Sequence, residues 1–326
     1  KAEFMAAHYA HKRRPLSHYP LAYIGNLLPK LSRFSSVVNK LQTGITGQLA
    51  QKFLGLSDAK GLPKLAPQSF TGWARKNANR QDQQFHWFGE QDQPTVVLWA
   101  DSVNNHYRPT LLQSAVNVLL KSGHQVAVAK QHFCCGRPLY EYGFLAQALK
   151  QLTLILDGFY SKLPSECSVI VLEPSCLSVF KDELLSAFLD DTRALDLSAR
   201  AKTLTQFLSD ASITLAKQLN SGILHLHCHD KSVSISSHER DWMLRCFKDL
   251  QEPESGCCGM AGTYGLKKQT RAIGQRLFER RLKPAIDNAA NDSVVVANGF
   301  SCYEQMMDGQ SDRLVLHPVE IIEKCL

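Results

Sequence analysis

No run of about 18 apolar residues occurs in the 326-residue sequence, so no stretch of it reads as a membrane-spanning helix. The opening KAEFMAAHYAHKRRP has neither the apolar core of a secretory signal nor a start methionine, and it reads as a cut inside a longer protein. Low-complexity tracts are absent too. With 44% hydrophobic and 21% charged residues, the composition is that of a globular protein, long enough for two domains. Acidic residues are scarce at the start. Residues 1–90 hold 13 Lys+Arg against 4 Asp+Glu, and the remainder is close to neutral. Such a segment could face anionic lipid, an acidic partner or nucleic acid, or simply solvent. We expect no nucleic acid partner. The expected location is cytoplasmic, at most peripheral to the inner membrane.

What is abundant is cysteine. Ten are present, and four form adjacent pairs, Cys134-Cys135 and Cys257-Cys258. Disulfide scaffolds are usually short and secreted, and neighbouring cysteines seldom bridge each other. Metal ligation or thiol redox chemistry is the better reading of the pairs. Cys167, Cys246 and Cys325 are single cysteines in apolar surroundings and read as core residues.

The fold class expected is α/β: two tandem, duplicated units with parallel sheets flanked by helices, preceded by a mostly helical segment. Residues 1–92 form that segment, 93–212 the first unit and 213–326 the second. Prolines interrupt the first segment, and residues 61–93 look like a linker anchored by Trp73, Phe85, Trp87 and Phe88. Beyond it, the β-branched run from Thr95 to Ala100 predicts a buried strand, and Pro109 to Lys121 a helix with one broad apolar face. Strands come next at 125–129 and 168–172, with a helix over 139–159 between them. The order then repeats: strand 223–227, helix 238–250, helix 266–290, strand 294–297. The closing elements correspond as well, a strand at 194–197 and a helix at 203–208 matching 314–317 and 319–326. Cys134 to Cys257 is 123 residues and Cys176 to Cys302 is 126, which marks a duplication.

In the second unit Cys228, Cys257, Cys258 and Cys302 all follow predicted strands or open helices. The carboxyl ends of parallel strands share one edge, where ligands collect, so the four could converge. Gly136 and Gly259 each follow a pair and would let a backbone amide approach a sulfur without a Cβ in the way. Adjacent thiolates suit an iron–sulfur cluster better than a single ion, although zinc held by three cysteines and His227 or His229 is the alternative. The first unit offers Cys134, Cys135 and Cys176, with Asp101 where Cys228 stands in the second. Glu173 and Arg137 there could recognise a carboxylate or anion.

The motifs CCGRP (134–138), EPSC (173–176), HCHDKS (227–232), SGCCGMAG (255–262) and NGFSC (298–302) resemble the Cys-rich CCG-domain family, which includes the cysteine-rich subunit of heterodisulfide reductase and the glycolate oxidase iron–sulfur subunit. The likeness extends to the C-terminal part of fused FAD and iron–sulfur oxidoreductases acting on D-2-hydroxyglutarate or D-lactate. It implies FAD and ferredoxin-like domains elsewhere in the parent chain as partners, with metal held at Cys228, Cys257, Cys258, Cys302, Cys134, Cys135 and Cys176. It implies electron transfer from flavin toward a membrane or protein acceptor, through quinone or otherwise, and no activity in this piece alone. No Cys-x-x-Cys-x-x-Cys-x-x-x-Cys-Pro run of a bacterial ferredoxin is present. Neither unit closes with the family's Cys-x-x-Cys, which argues against the non-cubane cluster. A docking module with silent cysteines is the competing role.

Overall fold

The computed structural model describes residues 1–57, 61–209, 213–232, 236–309 and 313–326. Ten strands form two sheets: β1 (Arg80–Gln81), β2 (Phe85–Phe88), β3 (Thr95–Leu98), β4 (Gln125–Ala129), β5 (Ser168–Ile170), β6 (Ala201–Lys202), β7 (Leu219–His225), β8 (Phe247–Gln251), β9 (Val294–Ala297) and β10 (Val315–Leu316). The first sheet runs β1-β2-β4-β3-β5-β6 and the second β10-β9-β7-β8. The parallel parts share one design. The first strand of each unit is central, the second lies on one side, and the third and fourth lie on the other. Duplication is therefore visible in topology as well as in motif spacing.

Two expectations are corrected. The tract 61–93 is no linker: Phe70–Asn77 is a helix N-capped by Ser69, and β1 and β2 form a hairpin that adds antiparallel to β4. The sheet is thus mixed. The expected anchors explain the docking, since Phe85 and Phe88 are buried and Trp73 stacks on Phe88 with ring centroids 5.3 Å apart. The strand expected at 194–197 lies inside the helix Thr192–Arg200, and the pairing strand is β6 just after it. Similarly, the helix expected to reach Leu250 ends at Cys246, and its last part is β8. The boundary expected at residue 212 lies outside the described residues. The segment before the hairpin is mostly short helices, as expected.

Strand alternation decides the layers. Val96, Leu98, Val126, Val128 and Ile170 of the first sheet point into the same core as Leu224 and Val296 of the second and Leu226 just after β7. The helices Pro109–Lys121, Ser236–Cys246 and Pro318–Cys325 fill the space between, with Trp242 the largest side chain buried there. Cys246 and Cys325 belong to this shared core and Cys167 to another, all three buried. The opposite strand faces make separate cores: Val97, Ala127 and Val169 in the first unit, Ile223, Val295 and Ala297 in the second. Each cysteine cluster lies at the edge of one of these outer cores. Among the described residues, no helix is long and apolar enough to cross a membrane.

Candidate metal centre

In the second unit every cluster residue comes after a strand of the parallel sheet. Cys228 opens the short helix after β7, Cys257 and Cys258 lie in the loop after β8, and Cys302 is the third residue of the helix Phe300–Gly309 after β9. Parallel strands put these three loops on one edge, and the four sulfurs meet there in a continuous chain of contacts. Cys258 and Cys302 are buried, Cys257 is half-buried and Cys228 is exposed, so the cluster has one open side.

The thiols are electrostatically unlike. Contact with Cys228 and then Cys258 holds Cys257 below the ordinary thiol range, and contact with Cys258 holds Cys302 well below it. The same contact with Cys257 raises Cys228, while Cys257 and Cys302 together raise Cys258. Along the sulfur chain, two thiols held low thus alternate with two held high, and the lowered ones are those most readily deprotonated for a soft metal. Gly259 donates its backbone N–H to Cys257 Sγ at 3.3 Å. Its φ of +95° and its packing against Gly274 O leave no room for a Cβ, which is why glycine follows the pair.

Histidine joins the group as well: His227 Nδ1 stands 4.0 Å from Cys228 Sγ, and His225 lies deeper. A ring nitrogen of His225 lies with Cys258 Sγ and Cys302 Sγ, all within 4.8 Å of one another. His225 Nδ1 pairs with Ser255 Oγ at 2.8 Å, and buried Nε2 has no hydrogen-bond partner among the described residues beyond its approach to Cys302. An orphaned, oriented imidazole nitrogen beside buried sulfurs is the donor set that zinc or iron takes, so the residues fit a metal. The missed signal was period two in β7: Ile223 faces the outer core, so His225 does as well. His227 instead receives the His229 N–H on Nδ1 at 3.2 Å and packs against Gly299. Burial opposes its charge, but Cys302 and Glu173 hold it above the ordinary range. Burial and His227 push His229 down to about 4.

The first unit repeats the arrangement with one substitution. Cys134 and Cys135 come after β4, and Cys176 is the third residue of the helix Pro174–Ser178 after β5. Cys176 Sγ lies 2.9 Å from Cys135 Sγ, and all three cysteines are buried. Gly136, with φ +83°, gives its amide to Cys134 as Gly259 does to Cys257. Here no thiol is acidic. Contact with Cys135 and burial hold Cys134 well above the thiol range. Cys135 is lowered by Cys134 but raised further by Cys176 and burial. Cys176, lowered by Cys135, still stands at about 11 because burial, Asp101 and Glu173 raise it.

Asp101 stands after β3 as Cys228 stands after β7, but its oxygens are committed to Asn104, whose backbone N–H it caps at 2.9 Å and whose Nδ2 it accepts at 3.0 Å. Burial, then the charge of Glu173, pushes it up to about 7. The anion site expected of Arg137 and Glu173 is not formed. Arg137 is ion-paired with Glu183, and both Glu173 oxygens accept N–H or O–H donors from the protein. Over this cluster lies the helix Ile24–Leu31, where a Cβ on Gly25 would collide with Cys134 Sγ.

Fold and site together define a class: tandem α/β units of common strand order, each carrying a cysteine cluster at the carboxyl edge of its sheet. The CCG cysteine-rich domain matches the chain at residues 101–181 and 246–307, so over those two segments the chain is similar to that family. The matched segments include Cys134, Cys135, Cys176, Cys257, Cys258 and Cys302, while His225 and Cys228 lie between them. D-2-hydroxyglutarate dehydrogenase of Pseudomonas putida is 22% identical over 329 residues, covering 99% of this chain and 31% of that protein. The C-subunit of anaerobic glycerol-3-phosphate dehydrogenase from Escherichia coli is 25% identical over 331 residues, covering 98% of this chain and 80% of that protein. Lactate utilization protein A of Bacillus velezensis is 24% identical over 248 residues, covering 70% of this chain and 98% of that protein. The chain spans about a third of the length of the D-2-hydroxyglutarate dehydrogenases it resembles.

Proposed function

We propose that this chain is the electron-passing part of an FAD-linked 2-hydroxy-acid dehydrogenase, holding an iron–sulfur cluster at Cys228, Cys257, Cys258 and Cys302 with His225 beside them. The observation that carries the reading is the convergence of four thiols and an orphaned imidazole nitrogen at one sheet edge. A cluster there supplies one-electron transfer when bound. The chain's own residues hold the Cys257 and Cys302 thiols low, place the Gly259 amide on Cys257, fix His225 through Ser255, and bury the cluster except at Cys228 and half-buried Cys257. The flavin, the ferredoxin-like portion and the hydroxy acid belong to the rest of the parent protein in this reading. Iron and acid-labile sulfide analysis of protein purified without air should find both. Zinc with no sulfide would replace the iron–sulfur assignment, and no metal at all would favour the docking role.

The acceptor side is read from the first segment. Between Phe4 and Ser57 there are seven Lys/Arg and no Asp/Glu. Ile45, Leu49 and Phe53 form an exposed stripe on the helix Gly44–Leu54, and Phe34, Val37 and Leu41 are exposed on the elements just before it. Exposed apolar side chains among cations support peripheral contact with an anionic, quinone-bearing membrane. Co-sedimentation should rise with the anionic fraction of the vesicles. Equal binding to neutral vesicles, or none, would remove this second reading.

A further inference from the structure

Each cluster presents one cysteine as the third residue of a helix: Cys176 in Pro174–Ser178 and Cys302 in Phe300–Gly309. The first of these helices is N-capped by its own preceding residue. Glu173 Oε1 accepts from Ser175 N at 3.3 Å and from Ser175 Oγ at 2.7 Å. In the second helix the corresponding residue is Gly299, which has no side chain to cap with and cannot gain one, because a Cβ there would collide with the His227 ring. Asn298 does not serve either. Its Oδ1 accepts from His227 N at 2.8 Å, and its Nδ2 is bonded to Asp230. The cap comes from the other unit: Glu173 Oε2 accepts the Phe300 N–H at 2.9 Å.

We propose that Glu173 is a positioning residue shared by both cysteine clusters, one carboxylate fixing the first turns of the two helices that present Cys176 and Cys302. It is 4% exposed, so neither oxygen has water to substitute for these donors. A shift of either helix must be answered at the other or break a buried hydrogen bond. The clusters are thereby mechanically coupled across the interface between the units. The coupling belongs to the protein and does not depend on which metal, if any, the second cluster holds.

The test uses the metal-stripped full chain, so its outcome is separate from that of the metal assignment. Two quantities are followed: amide hydrogen exchange over the Phe300–Cys302 segment, and iodoacetamide alkylation of Cys302. Glu173→Ala should speed both by roughly fivefold, the size of losing one helix cap. Glu173→Gln should stay close to the parent, since its carbonyl can accept from Phe300 N while its amide donates to Ser175 Oγ. With Phe300→Ala as the control that loses the same ring from its stack on Tyr107 but keeps the N–H, Phe300→Pro deletes the donor that crosses between units, at a helix position that tolerates proline. It should speed Cys302 alkylation while leaving Cys176 unchanged. Cys325, in the shared core, reports general loosening. The proposal is overturned if Cys302 is unaffected by both Glu173→Ala and Phe300→Pro, if Glu173→Gln is as fast as Glu173→Ala, or if Cys325 alkylation rises in step with Cys302 in both Glu173→Ala and Phe300→Pro.

Discussion

The two cysteine clusters occupy the same edge of sheets with the same strand order, sit after the same strands and keep the same amide-to-sulfur contact, yet they differ in charge and access. The second has acidic thiols, a histidine with a free nitrogen and an open side at Cys228. The first has three buried thiols all held above the ordinary range, an aspartate committed to capping its own helix and a lid of N-terminal helix. The difference lies less in the pairs themselves than in the residue placed just after the first strand of each unit. A cysteine there extends the sulfur chain to the surface; an aspartate closes it. Duplication preserved the scaffold, and the residue after the first strand, the histidine and the helix lid together set the two clusters apart.

The widest separation should appear in metal content. Cys258→Ser is expected to remove bound iron by more than the roughly 10–100-fold typical of losing an outer-shell partner, while Cys135→Ser leaves it nearly unchanged. Equal losses from both variants would erase the distinction between the clusters. Next in size is the core that the units share. Trp242→Ala should cost about 3–5 kcal/mol in urea unfolding and shift both units together in one transition. Two separated transitions would show that the units are stable apart. Smallest is Asp101→Cys, which supplies the first unit with the leading cysteine it lacks. Loss of the cap should cost about 1 kcal/mol, and reconstitution with iron and sulfide should raise metal per chain above the parent. A chain that loses the stability but gains no metal would show that the lid, and not Asp101, keeps the first cluster from ligand chemistry.

Much of this was legible in the residues. The α/β order, the duplication and the core cysteines could be read from β-branched runs, helical faces and marker spacing, because strongly periodic segments fold as their pattern dictates. The misreadings have physical causes. β8 is an edge strand whose Phe247 and Leu250 continue the helical spacing of Met243 and Cys246, so nothing local ends the helix; only pairing with β7 does. The hairpin Arg80–Phe88 was hidden in polar sequence, although its aromatic anchors stood out. His225 was passed over for His227 and His229 because they adjoin Cys228 in sequence, whereas His225, the last residue of β7, is the one set beside Cys258 and Cys302. Glu173 offered no sequence signal for its reach to Phe300, since the two are brought together only by the packing of one unit on the other.

The contact of Gly25 with Cys134 has a consequence in time as well as in space. With the helix Ile24–Leu31 seated on the sulfur, no oxidant or alkylating reagent meets that thiol in the closed protein. Modification must wait for the helix to lift, so at reagent levels where trapping outpaces reclosing the rate at Cys134 becomes a clock for how often the N-terminal segment comes away.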